Sequence, residues 1–163
     1  MRVSRSTTDQ HVQASDRRGA ATVELAMVLP LLLSLVLGVA EFSRAINAYN
    51  QMFAAVREGG RLAAMDFSEF VTNNQTANQK VERDIRAFLS ASGLPGNAMT
   101  ITITEPDSQV TFDLQNSNNY LRNVRITASI PYSSISNLPA KFLGETTLSA
   151  SMVYRKGRVD LVQ

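Results

Sequence analysis

The sequence predicts an α+β protein: a long N-terminal membrane-spanning helix followed by a small head in which one helix packs on an antiparallel sheet of about four strands. Three observations predict it. The sixteen residues from Leu25 to Ala40 carry no charge, and seven of them are Leu, bracketed by Glu24 and Glu41. A stretch of helical periodicity, VERDIRAFLSAS, stands in the C-terminal half. Four stretches of alternating apolar and polar residues follow it, each with one apolar face, as half-buried strands require.

The 163 residues, 44% hydrophobic and 18% charged, suit one modest domain with an appendage. The formal charge of +2 is confined to the start: residues 1–18 hold Arg2, Arg5, Arg17 and Arg18 against Asp9 and Asp16, whereas residues 19–163 hold twelve basic and twelve acidic side chains. A body without net charge lacks the basic stripe that phosphate-dominated binding needs, so nucleic acid is not an expected partner. Without Cys there is no disulfide framework, thiolate zinc site, iron–sulfur cluster or cysteine nucleophile. The one His, His11, lies in the polar leader, so the body holds neither a Ser/His/Asp triad nor a two-His metal site. Glu105 and Asp107 flank Pro106 in a turn-forming stretch, where paired carboxylates serve turn geometry and solubility rather than acid–base chemistry. No catalysis, cofactor, metal or small-molecule substrate is expected.

The N-terminal helix begins behind a polar, basic leader, residues 1–19. A basic stretch before an apolar one fits a secretory signal peptide or a signal anchor. Leu37-Gly38-Val39-Ala40 makes a poor small-x-small cleavage site, because it runs directly into a helical pattern. Gly19 to Ala40 is 22 residues, about 33 Å of helix at ~1.5 Å per residue, enough to span a bilayer. Arg17 and Arg18 before the run hold the leader in the cytoplasm and send the C-terminal body outward.

Glu24 is what a plain anchor does not explain. An ionised side chain at the hydrocarbon centre costs about 2.5 to 3.5 kcal/mol, less near an interface. Cleavage after Gly19 would make Ala20 the N-terminus and Glu24 the fifth residue, one helical turn from a new α-amino group. Ammonium and carboxylate would then neutralise each other, most usefully between neighbouring subunits of an assembly. Gly, four small or apolar residues and Glu after a basic leader resemble the processing site of type IV prepilins.

Residues 16–64 as a whole resemble the TadE-like family, the minor pilins (pseudopilins) of tight-adherence pili. The matching positions are Arg18, Gly19, Val23, Glu24, Pro30, Glu41, Phe42, Tyr49, Asn50, Arg57, Glu58, Gly59 and Arg61. Leu25 stands where an aromatic is common, and Val56 and Gly60 replace two alanines of the last motif. The resemblance implies a role in biogenesis or adhesion of a tight-adherence type IV pilus, with processing by a prepilin peptidase between Gly19 and Ala20. It implies as partners the lipid bilayer, that peptidase, major and minor pilins, pilus platform proteins and an assembly ATPase. The location it implies is the bacterial inner membrane, single-pass, with a periplasmic or extracellular head. The alternative is a permanently anchored periplasmic protein-binding module outside any pilus.

The apolar pattern continues past the membrane run. Val28, Leu32, Leu35 and Val39 are followed by Phe42, Ile46, Tyr49, Phe53, Val56, Gly60 and Ala63 in steps of three and four, a heptad seam. Glu41, Arg44, Gln51 and Glu58 fall on the other side. A helix from Ala20 to Ala64 would span about 67 Å, of which only ~30 Å fits in hydrocarbon. Its second half therefore needs a protein partner, either the head or neighbouring helices. Pro30 removes an amide donor and loosens the turn around Ala26, either as a functional kink or as a harmless one. Gly59 and Ala63 form a small-x-x-x-small pair suited to close helix approach. The Gly59-Gly60 pair equally reads as a weak point, at roughly 1 kcal/mol per Gly relative to Ala. Arg57, Glu58 and Arg61 read as a solvated charged face.

Residues 66–78 are rich in Asn, Gln and Thr and read as a linker between the helix of residues 20–65 and a head of residues 79–163. Val81, Ile85, Phe88 and Leu89 recur at helical spacing, and Gly93, Pro95 and Gly96 stop that helix. The expected strands carry Ile101 and Ile103; Val110, Phe112 and Leu114; Val124, Ile126, Ala128 and Ile130; and Leu148, Ala150 and Met152. Glu105-Pro106-Asp107-Ser108 and Asn116-Ser117-Asn118-Asn119 are turn-forming connections. Arg155, Lys156 and Arg158 read as a solvated basic tail.

Overall fold

A computed structural model describes residues 8–65, 75–136 and 146–157. Their elements run α1 (Thr8–Ala64), α2 (Ala77–Ala91), β1 (Thr100–Thr104), β2 (Asn123–Pro131) and β3 (Thr147–Arg155), with short 3-10 turns at Gly96–Ala98, Ser117–Asn119 and Tyr132–Ser134. The chain divides into two compact units, Met1–Ala40 and Glu41–Gln163, so the division falls inside α1.

In the first unit every residue from Gly19 to Ala40 is exposed. This stretch belongs to a helix long and apolar enough to cross a membrane by length and composition. Such a surface is costly in water, because each large side chain left exposed forgoes roughly 1.5–3 kcal/mol of burial. Helical geometry continues through Pro30.

The second unit is an α+β layer structure. β1, β2 and β3 form an antiparallel sheet with β2 in the middle. The alternation read from the sequence sets its faces: Ile101, Ile103, Val124, Ile126, Ala128, Ile130 and Ala150 are buried. The intervening threonines, serines and arginines are exposed or half-buried. Register stacks Ile103 beside Ile126 and Ile126 beside Met152, so the apolar residues of all three strands form one surface. Two helical stretches cover it. α2 contributes Ala77, Val81, Ile85 and Leu89, and α1 contributes Met52, Ala55, Val56 and Ala63.

α2 starts where its chemistry allows. Thr76 Oγ1 accepts from Gln79 N at 3.2 Å and Gln79 Oε1 accepts from Thr76 N at 3.0 Å, a reciprocal capping box. The helix therefore begins two residues before the expected head boundary. It ends before Gly93, whose φ of 85° lies in the left-handed region open to glycine. Arg86 Nη1 then ties the following loop to α2, donating to the Gly96 carbonyl at 2.9 Å and to that of Met99 at 2.6 Å.

Among the described residues the sheet has three strands rather than about four. Phe112 and Leu114 are buried as expected, but their segment meets β1 only through an isolated Thr104–Thr111 bridge and two backbone bonds, Glu105 N to Val110 O and Phe112 N to Ile103 O. Beyond them Asn78 of α2 takes over the pairing. Its amide donates to Phe112 O at 2.7 Å and its carbonyl accepts from Leu114 N at 3.0 Å. One side chain thus satisfies the backbone that a further strand would have paired.

The basic tail is also corrected. Lys156 is 1% exposed, its Nζ 3.4 Å from the Met65 carbonyl and 5.7 Å from the Tyr120 ring centroid. With Gly157 N donating to Ala64 O at 3.1 Å, the residues after β3 cap the C-terminus of α1, where free carbonyls and the helix dipole favour a cation. Arg158 lies outside the described residues.

Candidate functional site: the motif-bearing part of α1

The positions singled out in the sequence fall in two groups on α1. Gly19, Ala20, Glu24 and Pro30 all lie on the exposed stretch of the first unit. Nothing lies within 4 Å of a Cβ placed at Gly19. Glu41, Phe42, Tyr49, Arg57, Glu58, Gly59 and Arg61 belong to the second unit, where the structure separates their roles.

Glu41 is buried, contrary to its expected place on the polar side of the helix. Its carboxylate accepts from Tyr132 Oη at 2.8 Å, from Ser136 Oγ at 3.0 Å and from Arg44 Nη1 at 2.7 Å. A buried carboxylate is tolerated only when so satisfied. Tyr132 Oη also lies 3.0 Å from the backbone carbonyl of Glu41. Burial, then the hydrogen bond to Glu41 and its charge, push the Tyr132 phenol above its ordinary pKa, against a smaller opposing effect of Arg44. Residues just after β2 are thereby fastened to α1 at the first residue of this unit.

The Gly59-Gly60 pair is a seat rather than a weak point. A Cβ at Gly59 would run into the Ile85 side chain of α2, and one at Gly60 would fall within the Tyr154 ring of β3. Glycine here lets a helix and a strand approach the α1 backbone closely, which is worth its propensity cost. Ala55 and Ala63 continue the same small face. Tyr154 Oη sits 3.4 Å from Val56 O, and burial raises its pKa, with Arg57 opposing.

The expected heptad seam is only half used. Val56, Gly60 and Ala63 are buried, but Phe42, Ile46, Tyr49 and Phe53 are exposed, Phe42 by 67%. Tyr49 and Phe53 stack on each other with ring centroids 6.4 Å apart. The buried face is instead Glu41, Ala48, Met52, Ala55 and Gly59, a rotation toward the smaller side chains. Glu58 and Arg61 pair at 2.6 Å on the exposed side, as expected of a solvated charged face, and that hydrogen bond holds the Glu58 carboxyl below its ordinary pKa. Arg57 is exposed.

Sequence reasoning missed the Glu41 clasp, the Tyr154 seat and the Lys156 cap. Only the second had a local signal: paired glycines inside a helix require a neighbour that needs the space. Glu105 behaves as read, holding the turn through Arg122 Nη2 at 2.7 Å and Ser108 Oγ at 3.2 Å. Among the described residues no group of three or more His, Cys, Asp or Glu side chains is placed to hold a metal ion.

An exposed apolar helix of membrane-spanning length, together with an α+β unit built on a small-residue helix face, defines the class: a candidate single-pass membrane protein with a folded head. Residues 19–61 match the model of the TadE-like protein family, which bears out the resemblance carried by the positions from Gly19 to Arg61. The match ends within α1 and leaves α2 and the sheet outside it. No curated protein and no solved structure matches the chain.

Proposed function

We propose that this protein is a minor pilin (pseudopilin) contributing to the biogenesis or adhesion of a tight-adherence type IV pilus. The observation that carries the reading is the TadE-like match over residues 19–61, which starts at the proposed cut and covers the exposed apolar stretch. The protein acts by assembly and not by catalysis, and it uses no cofactor. It inserts into the bacterial inner membrane with its leader in the cytoplasm and its head on the far side. A prepilin peptidase cuts between Gly19 and Ala20. Glu24 then meets an α-amino group, its own or a neighbour's, which removes the cost of an ionised acid in the membrane. Pro30 supplies a loosened turn as the helix passes from bilayer to assembly. Major and minor pilins, platform proteins and the assembly ATPase are its partners.

N-terminal sequencing of the mature protein from its native membrane tests this reading. A start at Ala20 is expected. An intact leader, or a start far from Ala20, would favour the permanently anchored module instead. Glu24→Gln should leave membrane insertion intact and reduce incorporation into the assembly; unchanged incorporation would refute the pairing role of Glu24.

A further inference from the structure

The two edges of the sheet are not equivalent. Along β1, Ile103 O and Glu105 N already bond to the segment that carries Phe112, so that edge is partly taken. Along β3 the bonds at the two ends of the ladder, Tyr132 N to Thr146 O and Lys156 N to Arg122 O, show that the even-numbered residues bond toward β2. Thr147, Ser149, Ser151, Val153 and Arg155 therefore turn their backbone N–H and C=O groups away from the sheet, and among the described residues nothing bonds to those groups. Edge strands of this length are ordinarily guarded by proline, charge or a bulge. From Thr147 to Tyr154 there is no proline and no charged residue, and the pairing with β2 runs without a bulge.

The core is unfinished on the same side. The apolar residues of β1 and β2 are buried one after another, whereas Leu148, Met152 and Tyr154 of β3 stay half-exposed on the face that the helices cover. An added strand would place its own apolar residues beside them and supply the missing backbone partners at once. Arg155 adds a requirement of charge. Its Nε donates to Leu121 O at 2.9 Å, and its Nη1 and Nη2 have no partner among the described residues. Arg155 lines a cavity of about 410 Å³ together with Glu105 and Asp107, but Glu105 is paired with Arg122 and neither acid pairs with Arg155. A second copy docking its own β3 symmetrically about Ser151 would set Thr147 opposite Arg155 and leave both guanidinium groups without an acid. We propose that the outer edge of β3 receives an extended segment of another protein, apolar on the side facing the helices and carrying a carboxylate opposite Arg155. The site stands on the second unit alone, so its failure would leave the reading of the N-terminal helix untouched.

The probe is the peptide acetyl-Asp-Val-Thr-Val-Thr-Val-Thr-amide. Laid antiparallel to β3, it puts Asp opposite Arg155 and every Val on the apolar face. With the full chain in detergent micelles, amide hydrogen exchange at Ser149, Ser151 and Val153 should slow about tenfold at a peptide concentration about ten times its Kd. Exchange at Ala150 and Met152, whose amides already bond to β2, should not change. Methylating the Thr nitrogens of the peptide should abolish binding, and methylating the Val nitrogens instead should preserve it, since only the former face the edge. Replacing its Asp by Asn should weaken binding about threefold, the scale of an exposed ion pair, and Arg155→Gln should erase that difference. No slowing, slowing shared by odd- and even-numbered residues, binding that survives methylation at threonine, or equal affinity of the Asp and Asn peptides would overturn the site. So would slow exchange at Ser149, Ser151 and Val153 in the peptide-free chain that is lost on dilution, which would assign the edge to a second copy.

Discussion

Gly60→Ala isolates the role of the small face of α1. The added Cβ would fall among Cε2, Cζ and Cδ2 of Tyr154. That ring has little room to retreat, because its residue pairs with Val124 in the sheet and its hydroxyl lies 3.4 Å from Val56 O. Two effects oppose each other. Alanine favours the helix over glycine by about 1 kcal/mol, and overpacking a filled core costs about 1–3 kcal/mol. With three ring atoms overlapped, the cost sits at the upper end, so the net loss is about 1–2 kcal/mol. Gly59→Ala is the internal comparison, because its Cβ overlaps Cδ1 and Cγ1 of Ile85 and meets Val81 Cγ1 at an ordinary 3.7 Å, with no ring in the way. Part of that overlap is relieved by the terminal carbon of Ile85 shifting, so the net loss is smaller than at Gly60, where ring atoms are met. Urea unfolding of the full chain in detergent, followed by tyrosine fluorescence, reads both. A gain in stability for Gly60→Ala, or equal effects at the two glycines, would refute the reasoning. Tyr154→Leu in the Gly60→Ala background should restore part of the loss, since contacting residues do not add independently.

Other perturbations bear on the remaining contacts. Glu41→Ala takes the side-chain acceptor from Tyr132 Oη, Ser136 Oγ and Arg44 Nη1 while leaving Tyr132 the backbone carbonyl at position 41, and should cost about 1–3 kcal/mol in the same urea experiment, with Glu41→Gln milder because it keeps an acceptor. Tyr132 and Tyr154 both have pKa values raised above 10.0, so each binds its proton more tightly when folded. The stability this confers is fully present below pH 10.0 and is lost as pH rises through the higher folded values. Ultraviolet titration should show these two of the four tyrosines ionising late, together with alkaline unfolding that Tyr132→Phe makes less steep. Asn78→Ala should free the backbone of Phe112 and Leu114, seen as faster amide hydrogen exchange at Leu114 with β2 unaffected. Replacing Glu58 and Arg61 together by Ala should leave the melting temperature unchanged, since both are exposed and solvent screens the pair.

Much of the fold was legible because its signals are local. The apolar face of α2 appears as Val81, Ile85 and Leu89 at helical spacing, and all three are buried. β2 alternates from Val124 to Ile130 and buries those residues in that order. The segment from Val110 to Leu114 shows the limit. Its alternation correctly buries Phe112 and Leu114, but alternation reports a face and not a hydrogen-bond partner. Asn78, far away in the chain, took the pairing instead. Lys156 misled for the same reason, since its burial depends on where the C-terminus of α1 arrives.

Periodicity and charge were enough to establish the apolar stretch, the basic leader before it, the acid at Glu24 and the one-faced strands, because each is a property of neighbours along the chain. Which side of α1 turns inward was not such a property. Apolar content nominates Phe42, Ile46, Tyr49 and Phe53, yet the buried side runs through Glu41, Met52, Ala55 and Gly59. Transfer free energy ranks the faces of an isolated helix, whereas packing ranks them by how closely a partner can approach. Glycine and alanine give Tyr154 and Ile85 that approach. The carboxylate of Glu41 is affordable inside only because Tyr132 and Ser136, 91 and 95 residues further along the chain, fold back to donate to it.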